Sequence, residues 1–158
     1  MITQKLVKEL FKYKDGELYW MIDSAYNVKK GFIAGSLGKK GYKRTCIKAI
    51  HYLNHRLIFL YHNGYFPKKV DHIDGNPLNN KIENLREVTV SQNGMNRKTN
   101  FNSFTKIKNV TKAGKKWRVA ITKNNKYIHI GFFADLELAE LVAIEARNKY
   151  HGEYANHG

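Results

Sequence analysis

The sequence has very little cysteine and no long apolar run. Its 158 residues include a single cysteine, Cys46, which excludes an internal disulfide and a zinc site built on paired cysteines. Any metal must therefore be held mainly by oxygen or imidazole ligands. No apolar stretch approaches the roughly 18 residues that span a bilayer, and the opening MITQKLVKEL is typical of an amphipathic helix rather than a signal peptide. We expect a soluble protein that stays in the compartment where it is made.

Acidic residues are also scarce. The chain has 13 Asp and Glu against 28 Lys and Arg, a formal net charge of +15 at pH 7. This excess is far greater than solubility requires, and it indicates a polyanionic partner, with nucleic acid favoured over an anionic membrane surface. A chain of 158 residues can bury one modest core or two small ones, so we expect one domain with an appendage, or two modules.

The first part of the chain predicts helices mixed with short strands. Thr3 can cap a short amphipathic helix. The aromatic and β-branched residues from 18 to 50 are interrupted by glycines, a pattern typical of short antiparallel strands. Asn54 begins an apolar helix that should be central to the first core. His55 and His62 on this helix are predicted to be packed or hydrogen-bonded rather than ligands, with His55 a candidate to support the site residues.

The stretch VDHIDGNPLNNKIENLREVTVSQN, residues 70–93, carries the candidate chemistry. Its pattern predicts a strand, a turn-rich loop and a second short strand. A helix should follow, capped by Thr89 or Ser91 and running to about Lys98. Gly94 would weaken that helix by about 1 kcal/mol relative to alanine.

Asp71, His72 and Asn93 have complementary chemical properties. A carboxylate and an amide oxygen are hard donors suited to a divalent ion such as Mg²⁺, which keeps waters and takes phosphate oxygens as its other ligands. Histidine changes charge near neutral pH, so His72 is the natural base to take a proton from a water aimed at a phosphate. Adjacent side chains leave opposite faces of a strand, so the loop and helix must bring the other groups around.

These residues resemble the HNH family of nucleases, whose ββα-metal core has a histidine in a strand, an asparagine in a loop and a histidine or asparagine in a helix. Here they are His72, Asn84 and Asn93. The terminal asparagine is most similar to phage and intron homing endonucleases, and AGSLGKKGYKR and YLNHRLIFLYHNGYFPKKV extend the similarity to roughly residues 30–98. Taken singly, an Asp-His pair or an Asn-rich loop is more often a turn that satisfies its own backbone. Their conjunction at the family's spacing favours the nuclease.

The resemblance implies a role for each residue. His72 activates the water, Asp71 and Asn93 hold one divalent ion, Mg²⁺ or Mn²⁺, on the scissile phosphate, and Asn84 ties the loop so that the histidine stays aimed. Family members with structural zinc add paired cysteines, so no structural zinc is implied here. Two nearby residues, Arg86 and Arg97, are candidates to contact phosphate, with solvated charges as the equal alternative.

The C-terminal part of the chain predicts a second module. FNSF, residues 101–104, has the character of a linker, and KKWRVAITKNNKYIHIGFF predicts two strands joined by a hairpin turn. Asp135 can cap the helix that follows. Four apolar residues of that helix are predicted to cover one face of the sheet: Leu138, Leu141, Val142 and Ala146.

This hairpin and helix resemble the ethylene-response-factor type of DNA-binding domain, in which a three-stranded sheet enters the major groove and a helix supports it from behind. The resemblance nominates five contacting residues: Lys116, Trp117, Arg118, Lys123 and Lys126. The alternatives are that Trp117 belongs to the core and that some of the lysines are merely solvated. The first strand is reduced to FTKIKNVTK, so the family's base-reading positions are altered there.

The sequence thus predicts an α+β protein with a ββα-metal core, a β-rich N-terminal extension, and a small DNA-binding domain of three strands and a helix. The predicted segments are 1–66, the extension; 67–98, the nuclease motif; 99–104, a linker; and 105–156, the DNA-binding domain. We expect a site-preferring, metal-dependent homing endonuclease that nicks one strand of double-stranded DNA as a monomer or weak dimer. No membrane partner and no small-molecule cofactor are expected, and the predicted location is the cytoplasm of a phage-infected bacterial cell. Two alternatives remain: a DNA-binding regulator with an inactive nuclease core, and a structured-RNA-binding protein or nuclease.

Overall fold

Helices and strands are mixed throughout the computed structural model, which describes residues 2–23, 28–97, 99 and 102–157. This mixture agrees with the predicted α+β class. The chain divides into two compact units, residues 1–88 and 89–158. None of the helices formed by the described residues has the length and apolar character needed to cross a membrane.

The division between the units falls inside the segment predicted as one nuclease motif. The predicted segment 67–98 contributes its two strands to the first unit, whereas the helix that follows is grouped with the second. Part of the predicted linker 99–104, and Lys98, the predicted end of that helix, lie outside the described residues.

The first unit begins with a helix and a hairpin. Helix α1, Gln4–Leu10, is capped by Thr3, whose hydroxyl accepts a hydrogen bond from the backbone of Leu6 at 3.3 Å, which confirms the predicted cap. Strands β1, Phe11–Lys14, and β2, Glu17–Trp20, pair antiparallel.

A three-stranded sheet and a buried helix complete the core of the first unit. The sheet consists of β3, Ser36–Leu37, β4, Lys43–Ile47, and β5, Ile50–Leu53, in that order. Helix α2, Asn54–Asn63, follows directly and buries four consecutive apolar residues, Leu57 to Leu60. It ends at Gly64, whose φ of 83° is the left-handed conformation that favours glycine. The predicted central helix is therefore confirmed.

The candidate chemistry lies on the last strand pair of this unit. Strand β6, Val70–His72, pairs antiparallel with β7, Leu85–Glu87, so that Asp71 lies opposite Arg86 and His72 opposite Leu85. The loop between these strands ends in a short 3-10 helix, Ile82–Asn84.

The second unit begins with helix α3, Val90–Met95, which has six residues and is shorter than predicted. Thr89 is the cap residue, and a capping box joins its hydroxyl to the backbone of Gln92 and the Gln92 side chain to the backbone of Thr89. These two bonds satisfy N–H groups that the first turn of a helix leaves unpaired, which is important in so short a helix.

A three-stranded antiparallel sheet and a long helix form the rest of the second unit. The strands are β8, Val110–Ala113, β9, Lys116–Lys123, and β10, Lys126–Phe133, with β9 in the centre. Helix α4, Leu136–His151, is capped by Asp135, as predicted, with its carboxylate 2.7 Å from the backbone nitrogen of Leu138. The core between sheet and helix is formed by Val110, Val119, Ala139 and Ala143.

The prediction that Leu138 and Leu141 cover the sheet is wrong. Their exposed fractions are 49% and 61%, whereas the alanines at 139, 143 and 146 are buried. These alanines recur on one stripe of the helix, and their small side chains allow the backbone to approach the sheet closely. Val142, also predicted for the sheet face, is half-buried against the same core.

Candidate active site

The imidazole of His72 is buried at the end of β6. Its exposed fraction is 5%, and its Nε2 lies 2.9 Å from Oδ1 of Asn80, a residue that is itself 2% exposed. Which of the two atoms donates depends on the tautomer of the ring and on the orientation of the amide. Asn80 therefore fixes the orientation of the ring.

Asn84 braces the loop that follows His72. Its amide nitrogen donates to Oδ1 of Asp74 at 2.9 Å and to the carbonyl of Asn79 at 2.7 Å, while its Oδ1 accepts from the backbone of Asp74 at 3.1 Å. Its own carbonyl accepts from the backbone of Ile73 at 2.9 Å. Four hydrogen bonds from one buried residue thus join the two ends of the loop.

Asp74 is the acceptor at the centre of this loop. Partial burial raises the pKa of its carboxyl. Hydrogen bonds from the Asn76 backbone and from the side chains of Asn79 and Asn84, together with the nearby His72, lower this pKa by a larger amount, so the net shift is downward. The carboxylate therefore stays ionised beside the imidazole of His72. Neither Asp74 nor Asn80 was singled out from the sequence, since both are among several polar residues in a turn-rich segment.

Asp71 lies on β6 next to His72 and is paired with the residue directly across the sheet. Its Oδ2 accepts from Nη2 of Arg86 at 3.2 Å and from Nε at 3.3 Å, and the two side chains are 12% and 16% exposed. Arg86 was predicted to contact phosphate or to be solvated. In the structure the Arg86 guanidinium is half-buried and forms an ion pair with Asp71, the proposed metal ligand.

Two aromatic rings pack beside His72. The ring centroids of His55 and His72 are 5.0 Å apart with planes at 77°, and Tyr42 lies 5.3 Å from His55 and 6.1 Å from His72. Burial, with smaller contributions from His72 and Arg56, lowers the pKa of His55 to about 3. His55 is therefore a neutral ring that packs against the candidate base. Its position in the buried first turn of α2 was the sequence signal for this role.

Asn93 and Arg97 belong to the second unit. Asn93 lies on α3, where its backbone N–H donates to the carbonyl of Thr89 at 3.0 Å, and its side chain is half-buried. Arg97 is exposed just beyond the end of this helix.

Comparison with known proteins identifies the family. Residues 52–95 match the family model described as HNH endonuclease. Over 99 residues the chain is 35% identical to Protein 3.8 of Escherichia phage T7, a match that covers 59% of this chain and 79% of the relative. This chain belongs to the HNH endonuclease family. It is therefore a nuclease, a phosphodiester hydrolase, and the family implies DNA as its substrate. No solved structure matches the chain.

The match to the HNH endonuclease model includes Asp71, His72, Asn84 and Asn93. Of these, the first unit brings three together, because Asp71 and His72 are consecutive on β6 and Asn84 closes the loop that leaves that strand.

The oxygen donors of this HNH endonuclease suit a hard divalent ion. The Asp71 carboxylate is held in place on a strand, and carboxylate oxygen is a preferred ligand of Mg²⁺ and Mn²⁺. An ion bound there would share the carboxylate with Arg86. In the described part of the chain, no group of three or more His, Cys, Asp and Glu side chains is placed to hold a metal ion. A fit therefore depends on Asp71 together with amide oxygen, water or phosphate oxygen.

The five residues nominated in the second unit of this endonuclease point in different directions. Arg118 lies on the sheet face away from α4, and its Nε donates to the hydroxyl of Thr111 at 3.2 Å. Trp117 points to the opposite face and packs against the core, which was the stated alternative to DNA contact. The three lysines, Lys116, Lys123 and Lys126, are exposed at the ends of β9 and β10.

Proposed function

We propose that this HNH endonuclease hydrolyses one phosphodiester bond of duplex DNA with His72 as general base. The observation that carries the proposal is the fixed imidazole at the end of β6. The Asn80 side chain contacts Nε2 and fixes the orientation of the ring, while Asn84 braces the adjoining loop. A base that is already oriented loses little entropy when it takes a proton from water.

The chain's own residues account for the transfer of the proton. His72 takes a proton from a water, whose oxygen attacks phosphorus in line with the departing 3′ oxygen. The bond from phosphorus to that oxygen then breaks and the oxygen takes a proton from solvent water, which gives the 5′-phosphate and 3′-hydroxyl ends that the family resemblance implies. The imidazolium formed in this step is stabilised by the ionised carboxylate of Asp74, with which it interacts electrostatically.

Metal dependence is part of the proposal. Asp71 would hold a divalent ion, with Asn93 as the second protein ligand inferred from the sequence. When bound, the ion would supply positive charge that offsets the charge developing on the phosphate oxygens. The Arg86 guanidinium, paired with Asp71, keeps the carboxylate oriented on the strand.

The proposed biological type is a homing endonuclease that prefers particular sites. The asparagine at the end of the motif and the similarity to a phage protein support this type and a phage-infected bacterial cell as its setting. The second unit, with its basic sheet, is proposed to hold duplex DNA, as in ethylene-response-factor domains. Since one chain carries one candidate active site, built around His72, we propose that a monomer or weak dimer nicks a single strand.

Cleavage of a supercoiled plasmid tests the function without knowledge of the target. With Mg²⁺, the parental protein should produce open circles, and chelator should stop the reaction. His72→Ala should be slower by at least about 100-fold, because general-base catalysis contributes this much or more. His51→Ala is the matched control, since His51 is an exposed histidine on β5 of the same unit and should cut at the parental rate.

The outcomes separate the alternatives. Cleavage by His72→Ala at the parental rate would show that the base is misassigned. Direct formation of linear plasmid would show that the enzyme cuts both strands instead of nicking one. If the parental protein binds duplex DNA tightly but cuts no plasmid, the DNA-binding regulator is favoured. Stronger competition by structured RNA than by duplex DNA would favour the RNA alternative.

A further inference from the structure

The sheet of the second unit has an outer face that is rich in aromatic rings. Side chains of a strand alternate between faces, and Val119 and Ile121 of β9 point to α4 and are buried. On β10, Tyr127 lies opposite Thr122 and therefore on the outer face, where it is 60% exposed. His129 and Phe132 are also exposed, Phe132 by 54%.

A β-bulge places these rings on the same face. His129 and Phe132 are three residues apart, and in a regular strand they would point to opposite faces. The register shifts between His129 and Gly131, which leaves Ile130 as the extra residue, so that His129 lies opposite Ala120 and Phe132 opposite Arg118. As a result the rings of His129 and Phe132 are neighbours, with centroids 4.8 Å apart and planes at 54°.

The aromatic face is also positively charged. Arg118 is the cross-strand neighbour of Phe132, and its hydrogen bond to Thr111 holds the guanidinium against the sheet. Lys116, two residues before Arg118 on β9, is exposed on the same face. Lys123 and Lys126 flank the turn between β9 and β10 and are in register with the face that packs on α4. The three strands, all within the described residues, contain no aspartate or glutamate. None of their side chains therefore opposes the binding of a polyanion.

Exposed rings on a basic sheet suit unpaired bases better than a closed duplex. In a duplex the base faces are stacked on one another, and only base edges are accessible in the grooves. Aromatic rings gain most when a base can be laid flat against them, and basic side chains then follow the phosphates. We propose that the outer-face rings Tyr127, His129 and Phe132, with Arg118, bind single-stranded DNA by stacking.

The proposal deepens the proposed function, since it concerns the DNA on which the nuclease acts. It assigns the outer face of β10 an added affinity for unpaired bases, where the strands of the bound DNA are locally separated. Its test is a binding measurement in chelator, where no cleavage occurs. A failed plasmid assay therefore leaves this test unaffected.

The test compares single-stranded and duplex oligonucleotides of equal length by fluorescence anisotropy, with the full chain. Tyr127→Ala and Phe132→Ala should each raise Kd for the single strand by about 10-fold, within the range known for one base–ring stack. Kd for the duplex should change by less than about 2-fold. Phe132→Trp keeps an aromatic ring at this position and should bind the single strand about as tightly as the parental protein. Leu141→Ala is the control, since Leu141 is a 61% exposed apolar residue on α4, on the other side of the sheet.

Three results would overturn the proposal. Equal losses on single strand and duplex would mean that the rings support duplex binding, and unchanged affinity in both variants would remove the rings from the site. A lower apparent mass of Phe132→Ala than of the parental protein in size-exclusion chromatography, with DNA affinity unchanged, would assign the face to contact between two copies of the chain. The proposal is supported if only the ring variants lose affinity and if they lose it only for single-stranded DNA.

Discussion

At the scale of single residues, the site depends on polar groups that are buried and fixed in place. Asn80 is 2% exposed and Asn84 is 9% exposed, and both bind groups beside the candidate base. The Asn84 amide makes hydrogen bonds through both its nitrogen and its oxygen. A buried amide costs free energy when these bonds are not made, so Asn84 fixes one arrangement of the loop. His55 adds a ring contact to His72, with centroids 5.0 Å apart.

His55 should make the protein sensitive to acid. Its pKa is about 3 in the folded protein and about 6.5 when it is unperturbed, so the unfolded chain binds more protons between these values. The stability it contributes is complete above pH 6.5 and is lost as the pH falls toward 3. From pH 7 to pH 5 this loss is about 2 kcal/mol. His55→Gln, which carries no such proton, should lose correspondingly less free energy of unfolding in urea titrations at the two pH values.

The matched control for this titration is His51→Gln, which removes an exposed histidine from the neighbouring strand β5. It measures the effect of replacing an exposed histidine of the same unit by glutamine. If His55→Gln and the parental protein lose the same free energy between pH 7 and pH 5, His55 is already protonated in the folded state or is not buried in solution.

The sequence predicted the residues of the motif but not the contacts that support them. Asp71, His72 and Asn84 were found because spacing along the chain is retained in the fold. Asn80 was not found, since the loop after His72 has four polar residues, Asp74, Asn76, Asn79 and Asn80, that are equivalent in a sequence pattern. Only the path of the loop decides which one contacts the ring. The ion pair of Arg86 with Asp71 follows from the strand register, which a three-residue strand does not specify by pattern.

At the scale of secondary-structure elements, caps and turns were predicted best. Thr3 and Asp135 cap their helices as expected, because each satisfies local backbone groups and needs no tertiary contact. The buried face of α4 was mispredicted for the opposite reason. Leucines are the more apolar residues, but the distance between helix and sheet decides whether alanine or leucine fits.

The element α3 should become more stable when its glycine is replaced. A Cβ added at Gly94 would meet no atom within 4 Å, and the residue is not among those with positive φ. Gly94→Ala should therefore raise the free energy of unfolding of the second unit by about 0.5–1 kcal/mol, because the helix then orders a less flexible residue. Hydrogen exchange of the α3 amides measures the effect locally.

Gly152→Ala, at the residue that follows α4, is the matched control for this substitution. Its added Cβ also meets nothing within 4 Å, but its φ is 54°, which disfavours residues with a side chain. The two substitutions have equal space and opposite backbone requirements, so Gly152→Ala should destabilise by about 1 kcal/mol or more. Slower exchange in both variants, or in neither, would contradict the explanation by backbone conformation.

At the scale of the whole molecule, the net charge of +15 attracts the protein to DNA. A charge of this size attracts any nucleic acid, so binding alone does not identify the contacting surface. The dependence of affinity on salt does, because each phosphate neutralised by a side chain releases counterions and adds about 0.9 to the slope of log K against log salt concentration.

Arg118→Ala should lower that slope by about 1 and weaken duplex binding at every salt concentration. Its guanidinium is exposed on the outer face of the sheet and is held there by Thr111, so it is placed to meet a phosphate. Lys5→Ala removes an equal charge from the exposed surface of α1 in the first unit and should leave the slope unchanged. Equal reductions in the two variants would mean that net charge alone, and not the sheet, determines affinity. An unchanged slope in Arg118→Ala would remove this residue from the phosphate contacts.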